Sequence, residues 1–253
     1  YATTTLSADV LVPYLTHEEP LLRLNAVNVA TLLSPEDKVR HITPLLSDDY
    51  KSVRIAAARS LVTSDIATTD KKAFKQAFKA LINTNNINSW RGEGMANQGV
   101  LAIEMNKLTD AEIAFKNMIK IEPYFNASYI NLADIYRVQQ KPFQEAVVLK
   151  KGIENNSKSA VLHYAYGLHF VRQKKLNKGL PLFEKSIMLQ PKNSHYAYTY
   201  VLAVDGAGQS KQALIKLKTL IKNYQDNTQL KELGLYLSQK LKLRSEYDWF
   251  MKL

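Results

Sequence analysis

The chain of 253 residues contains no cysteine. That absence excludes disulfides, thiolate metal sites, cysteine nucleophiles and covalent haem attachment within these residues, and it leaves the compartment open. Glycine and proline are scarce, at 9 and 8 residues, as fits short connections. No run approaches the ~18 apolar residues that a bilayer-spanning helix needs, so no membrane span is expected. No signal peptide is visible, and the chain begins at Tyr1 rather than Met, so removal of a leader or an upstream domain is expected. Signatures of metalloproteases, phosphate-binding loops, dinucleotide sites and Ser-His-Asp hydrolases are missing. Asp48-Asp49 lacks the alternating oxygen ligands of a calcium loop. His163 and His169, six residues apart, point about 120° away from each other on a helix, which favours core packing over a shared metal. No catalytic residue, metal site or cofactor is assigned, and no enzymatic activity is expected.

What the chain does have is periodicity. Pro123 and Pro191 are 68 residues apart, twice 34, and the residues before each run in the same order. Gly99, Ala111 and Phe115 precede the first; Gly167, Gly179 and Phe183 precede the second. A constant 34-residue interval marks stacked helical hairpins, and hence an all-α right-handed α-α superhelix, a solenoid. Four hairpins follow from apolar residues at helical spacing. The first takes 90–106 and 110–121, its second helix opened by the capping box Thr109–Glu112 and buried through Ala111, Phe115, Met118 and Ile119. The second uses Tyr129, Leu132, Ala133 and Tyr136, then Ala146, Leu149 and Ile153, with one extra turn residue because Ala146 falls one place late. The third uses Tyr166, Gly167 and Phe170, then Gly179, Phe183 and Ile187; the fourth uses Tyr200, Val201 and Val204, then Ala213, Leu217 and Leu220. A further amphipathic helix over 228–241, with the tail Glu246–Leu253 packed on it, reads as a terminal cap. Asn126 and Ser157, both within triplets that fit glycosylation acceptors, sit where helix caps are needed.

These residues make the second part resemble a tetratricopeptide repeat array, over about 150 residues. The family sets a small residue midway along helix A, here Gly99, Ala133, Gly167 and Val201, and another early in helix B, here Ala111, Gly179 and Ala213. The first part has a shorter interval of 31, pairing Pro13 with Pro44, Leu15 with Leu46, Arg23 with Arg54 and Ala26 with Ala57. Its segment Pro44–Leu61 resembles a HEAT repeat, in which Arg54 can bond back to an acidic turn at Asp48 and Asp49. Ser34-Pro-Glu-Asp37 is a capping box with Pro at the first helical position. The expected division is 1–83 for HEAT-like repeats with a linking helix over 70–82, 84–227 for the tetratricopeptide-like array, and 228–253 for the cap. The asparagine-rich stretch Asn83–Ser89 is the expected joint.

The resemblance implies function through binding. In the family, helix A of each unit lines the concave face, which here implies Asn97, Asn131, Asp134, Arg137, Tyr164, Leu168, Arg172, His195, Tyr198 and Thr199 as peptide- or partner-binding residues. Val100, Glu104, Ile130 and Leu202 belong to the same face. Asn97 and Asn131 recur at 34, as do Tyr164 and Tyr198, suiting successive contacts to an extended peptide. The carboxylate clamp of chaperone-binding members would need cations where this chain has Ala96, Val100, Val161 and Ala165, so capture of a terminal carboxylate is not expected.

Two further readings exist. The order of HEAT-like pairs, linking helix and tetratricopeptide array is similar to the C-terminal half of bacterial multihaem cytochrome c-type proteins. That resemblance implies haem motifs upstream of Tyr1, an extracytoplasmic (periplasmic) setting, and a docking role toward an upstream domain of the same chain. The charge supplies the other reading. Residues 1–90 carry 10 Lys and Arg against 9 Asp and Glu, residues 91–253 carry 24 against 14, and the formal net charge is +11. Such an excess draws nucleic acid, anionic lipid or acidic protein. Nucleic acid is disfavoured because aromatics and lysines do not interleave on the expected groove.

Overall fold

The computed structural model describes residues 6–63, 71–88, 90, 92–224 and 227–253, and among these residues there are helices and turns but no strand. Two compact units form, Tyr1–Ile121 and Glu122–Leu253.

The first unit holds α1 (Ala8–Leu15), α2 (Pro20–Val29), α3 (Pro35–Ile42), α4 (Lys51–Leu61), α5 (Lys71–Ile87), α6 (Gly92–Glu104) and α7 (Leu108–Ile121). The interval of 31 is a burial register: Leu15 and Leu46, Ala26 and Ala57, Val27 and Ala58, and Ala30 and Leu61 are all buried. The two arginines in this register do the same job. Arg23 Nη1 donates to the His17 and Glu18 carbonyls at 2.7 and 2.8 Å, and Arg54 Nη1 donates to the carbonyls of Asp48 and Asp49. Arg23 then reaches across to the next turn, giving two parallel bonds to Asp48 at 2.7 and 3.0 Å. Burial alone would raise the Asp48 carboxyl, but the bonds from Arg23 and the Tyr50 N–H, with the charges of Arg23 and Arg54, hold it below its usual value. Ser34 caps α3 by accepting from the Asp37 N–H, with Pro35 at the first helical position.

Two local expectations are corrected. Helix α5 continues through Asn83, Asn85 and Asn86 to Ile87, because Leu81 and Asn85, four apart, both face inward and hold the extra turn. Helix α7 begins at Leu108, so Thr109 is already inside its first turn rather than capping it.

The second unit consists of four hairpins: α8 (Asn126–Val138) with α9 (Pro142–Asn155), α10 (Ala160–Arg172) with α11 (Leu176–Leu189), α12 (Ser194–Gly206) with α13 (Ser210–Leu220), and α14 (Thr228–Lys240) with α15 (Arg244–Met251). The tail thus completes a hairpin of its own. The starts of three first helices keep the interval, with Ser159, Asn193 and Asn227 accepting from backbone N–H groups at the N-cap. Asn126 and Ser157 do not cap. Asn126 accepts from the Asn156 side chain at 2.9 Å, and the Ser157 carbonyl lies 3.0 Å from His163 Nε2.

The turn of each hairpin from α6–α7 to α14–α15 reverses through one left-handed residue, at Asn106, Gln140, Lys174, Gly208 and Lys242, each 34 apart. The next residue's N–H closes a six-residue ring, as from Lys141 to the Tyr136 carbonyl and from Lys175 to that of Phe170. Gln140 is therefore in register and the second hairpin has no extra turn residue. The position equivalent to Ala111 and Gly179 is Glu145, not Ala146.

Side-chain volume is matched across each hairpin. A Cβ on Gly99 would sit 2.6 Å from the Phe115 ring, on Gly167 2.6 Å from Phe183, and on Gly234 2.2 Å from Phe250. Where the first helix carries Ala133 or Val201, the residue sixteen places on is Leu149 or Leu217, and all four are buried. In the glycine pairs, the ring of the second helix fills the space that a Cβ would take.

Candidate functional site

The expected binding residues belong to α6, α8, α10 and α12, some exposed and some half-buried. Asn97 and Glu104 belong to α6 in the first unit, where Asn97 is exposed and Glu104 pairs with Arg59 at 3.2 Å. The other expected residues lie in the second unit. On α8, where Tyr129, Leu132, Ala133 and Tyr136 are buried, Asp134 and Arg137 are exposed and Asn131 is half-buried. The Asn131 amide makes no hydrogen bond among the described residues, so its donors and acceptor are unspent within the protein. Arg137 Nε donates to Asp134 at 3.0 Å in an exposed pair, an interaction worth ~0–1 kcal/mol and hence readily exchanged for another partner.

The structure brings Tyr164, His195 and Thr199 together. The Tyr164 hydroxyl lies 2.8 Å from His195 Nε2 and 3.2 Å from Thr199 Oγ1, and its ring packs 4.7 Å from that of Tyr196. This bridge ties α10 to α12 and consumes the polar tip that a peptide anchor would offer. Tyr198 and Leu168 are half-buried against the core of the unit, whereas Leu202 stands 38% exposed beside them. Burial raises the phenols of Tyr166 and Tyr196, in Tyr196 with help from Tyr164, so these rings stay neutral near pH 7.

Arg172, expected in the groove, is recruited elsewhere. Its Nη2 donates to Glu145 Oε1, while His169 Nδ1 lies 3.1 Å from Oε2. Glu145 and His169 are both buried. Glu145 thus replaces the small residue of the other hairpins by a buried acid that fastens α9 to α10. Holding the 34-residue interval strictly from Ala111 to Gly179 would have exposed it; following the nearest alanine concealed it. Asp205 makes a similar fastening between α12 and α14, accepting from Lys240 at 2.7 and 2.9 Å and from Ser210. Burial opposes ionisation of Asp205, but those bonds and the lysine's charge hold its carboxyl below the usual range.

His163 is buried, as expected of a core histidine. Among the described residues, no three His, Asp or Glu side chains converge as ligands for a metal. None of the described helices is long and apolar enough to cross a membrane.

No protein-family model matches the sequence, and no curated protein matches it. Solved structures do resemble it. MamA aligns over 61% of this chain and 90% of its own, at 18% identity and a TM-score of 0.51. YrrB, described as a TPR protein with an unusual peptide-binding site, aligns over 68% and 88% at 12% identity and 0.51. A tetratricopeptide repeat protein from Parabacteroides merdae aligns over 64% of each chain at 14% identity and 0.53. At these identities the likeness concerns the fold alone, an all-helical solenoid fold like that of tetratricopeptide repeat proteins over about two thirds of the chain.

Proposed function

We propose that the second unit is a protein-interaction scaffold that holds an extended segment of a partner protein across the outward faces of α8, α10 and α12, without chemistry of its own. The observation that carries this reading is the unspent bonding capacity along neighbouring first helices. Asn131 has a free amide, Asp134 and Arg137 hold each other only weakly, and Tyr198 and Leu202 offer apolar surface on α12. An extended peptide presents backbone groups to the amide and alternate side chains to the apolar positions. Tyr164, His195 and Thr199 act in this reading as the brace that sets the face, and Arg172 acts through its hold on Glu145. YrrB, with its peptide-binding site, shares this fold and so makes the reading natural. Nucleic acid is less well suited to this face, where Asp134 offsets Arg137 and Arg172 is held by Glu145. A docking role for another domain of a longer electron-transfer chain would use the same surface with an intramolecular occupant.

Selection from a random peptide library on the full chain, followed by fluorescence anisotropy titration, tests the proposal. Asn131→Ala with Leu202→Ser is expected to weaken a selected peptide by at least about ten-fold, the loss of one hydrogen bond and one apolar contact, with helicity unchanged. Equal affinity in the double variant would remove the proposal.

A further inference from the structure

The turns joining the paired helices of the second unit form one continuous edge, and its charge is one-sided. Consecutive turns touch. Glu145 of the first turn holds Arg172 at the second, Leu176 of the second lies 3.6 Å from where a Cβ on Gly206 of the third would sit, and Asp205 of the third holds Lys240 at the fourth. Along this edge every carboxylate is already paired: Glu145 with Arg172, Asp205 with Lys240, Glu246 with Lys218 and Asp248 with Arg244. Six lysines are exposed and have no anionic partner among the described residues: Lys141, Lys174, Lys175, Lys178, Lys211 and Lys242.

These lysines stand where local stability argues against them. Lys141 and Lys175 occupy N-cap positions, where a side chain that accepts a hydrogen bond is favoured and a cation faces the positive helix end. Lys178 and Lys211 lie in first turns that contain no acidic residue to offset them. Lys174 and Lys242 take φ of 56°, a conformation suited to glycine or asparagine. Departures from local preference gathered on one edge mark a surface kept for binding.

We propose that this edge docks the second unit onto an anionic lipid surface. Three features favour lipid over other polyanions. The free cations are all lysines, strongly hydrated point charges without the fork that reads individual phosphates. Four to eight such charges in one cluster are what an anionic bilayer attracts. At the same turns, Phe143 is 76% exposed and Leu243 39% exposed, next to Lys141 and Lys242, as apolar residues able to enter the headgroup region. Two separated apolar tips make no stacking platform for successive bases.

Co-sedimentation of the full chain with phosphatidylcholine vesicles, with or without phosphatidylserine, tests the assignment. Binding is expected only with phosphatidylserine and should weaken as salt rises. Lys174→Gln, Lys175→Gln and Lys178→Gln together should lower vesicle affinity about 100-fold, at roughly five-fold per lysine. A control triple, Lys150→Gln, Lys151→Gln and Lys185→Gln, removes the same net charge from second-helix surfaces and should change affinity by less than about three-fold, the long-range share of lost net charge at physiological salt. Equal losses in the two triples, or equal binding to both vesicle types, would overturn the proposal. So would selective binding of a duplex oligonucleotide or polyglutamate through this edge with no vesicle binding, which would hand the surface to that partner.

Discussion

The pairing of Gly167 with Phe183 offers a direct test of how the repeats are built. A methyl group on residue 167 would lie 2.6 to 2.9 Å from three atoms of the Phe183 ring, and that ring is fully buried. Overpacking of this kind costs ~1–3 kcal/mol, and the better helix propensity of alanine returns ~1 kcal/mol, so Gly167→Ala should destabilise by about 1 kcal/mol. Phe183→Leu alone opens space beside a glycine and should cost ~1–2 kcal/mol. The double variant recreates the arrangement the chain already uses at Ala133 and Leu149, both buried. It should therefore lie within ~0.5 kcal/mol of the parent, a coupling of about 2 kcal/mol. Trp90 is in the first unit and Trp249 in the second, so fluorescence-detected urea unfolding in a Trp90→Phe background reports the second unit. The slope of free energy against urea should stay constant across the series. Additive losses in the double variant would refute the argument that size matching across the hairpin sets helix spacing.

Asp48→Asn removes the charge and one of the two oxygens that accept from Arg23 and should destabilise the first unit by ~1.5–3 kcal/mol, read by thermal melting. Because the Asp48 pKa is lowered on folding, its contribution is complete above the unfolded value of ~3.9 and disappears as pH falls through the folded value below it. Acid unfolding of the variant should lose that component; an unchanged acid profile would contradict the assignment. Tyr164→Phe should cost ~1 kcal/mol by leaving His195 and Thr199 without their shared partner, measured as a lower urea midpoint. Lys174→Gly relieves a left-handed lysine and should stabilise the second unit by about 1 kcal/mol while weakening binding to phosphatidylserine vesicles, a trade visible by running both assays on one preparation.

The interval of 34 could be read from Gly99, Phe115, Gly167 and Phe183 because close helix contact demands glycine in one helix and a large ring in the other, a constraint on residue identity. The left-handed turn residue was invisible for the opposite reason. Asn106, Gln140, Lys174, Gly208 and Lys242 share a backbone conformation but no side-chain chemistry. Glu145 was missed because a buried acid at a small-residue position makes sense only once His169 and Arg172 arrive from the next helix. The 34-residue recurrence of Tyr164 and Tyr198 suits a groove anchor, but the Tyr164 hydroxyl is already used by α12.

The sequence by itself determined the helical class, the repeat intervals and the buried faces, since these follow from spacing along the chain and from which residues leave water. Only the tertiary structure decided which polar side chains are spent and which remain free. Arg172 is consumed and Asn131 is not; Lys240 is neutralised and Lys242 is not. That distinction depends on what a neighbouring repeat places within a few ångströms, and no interval along a single chain can specify it.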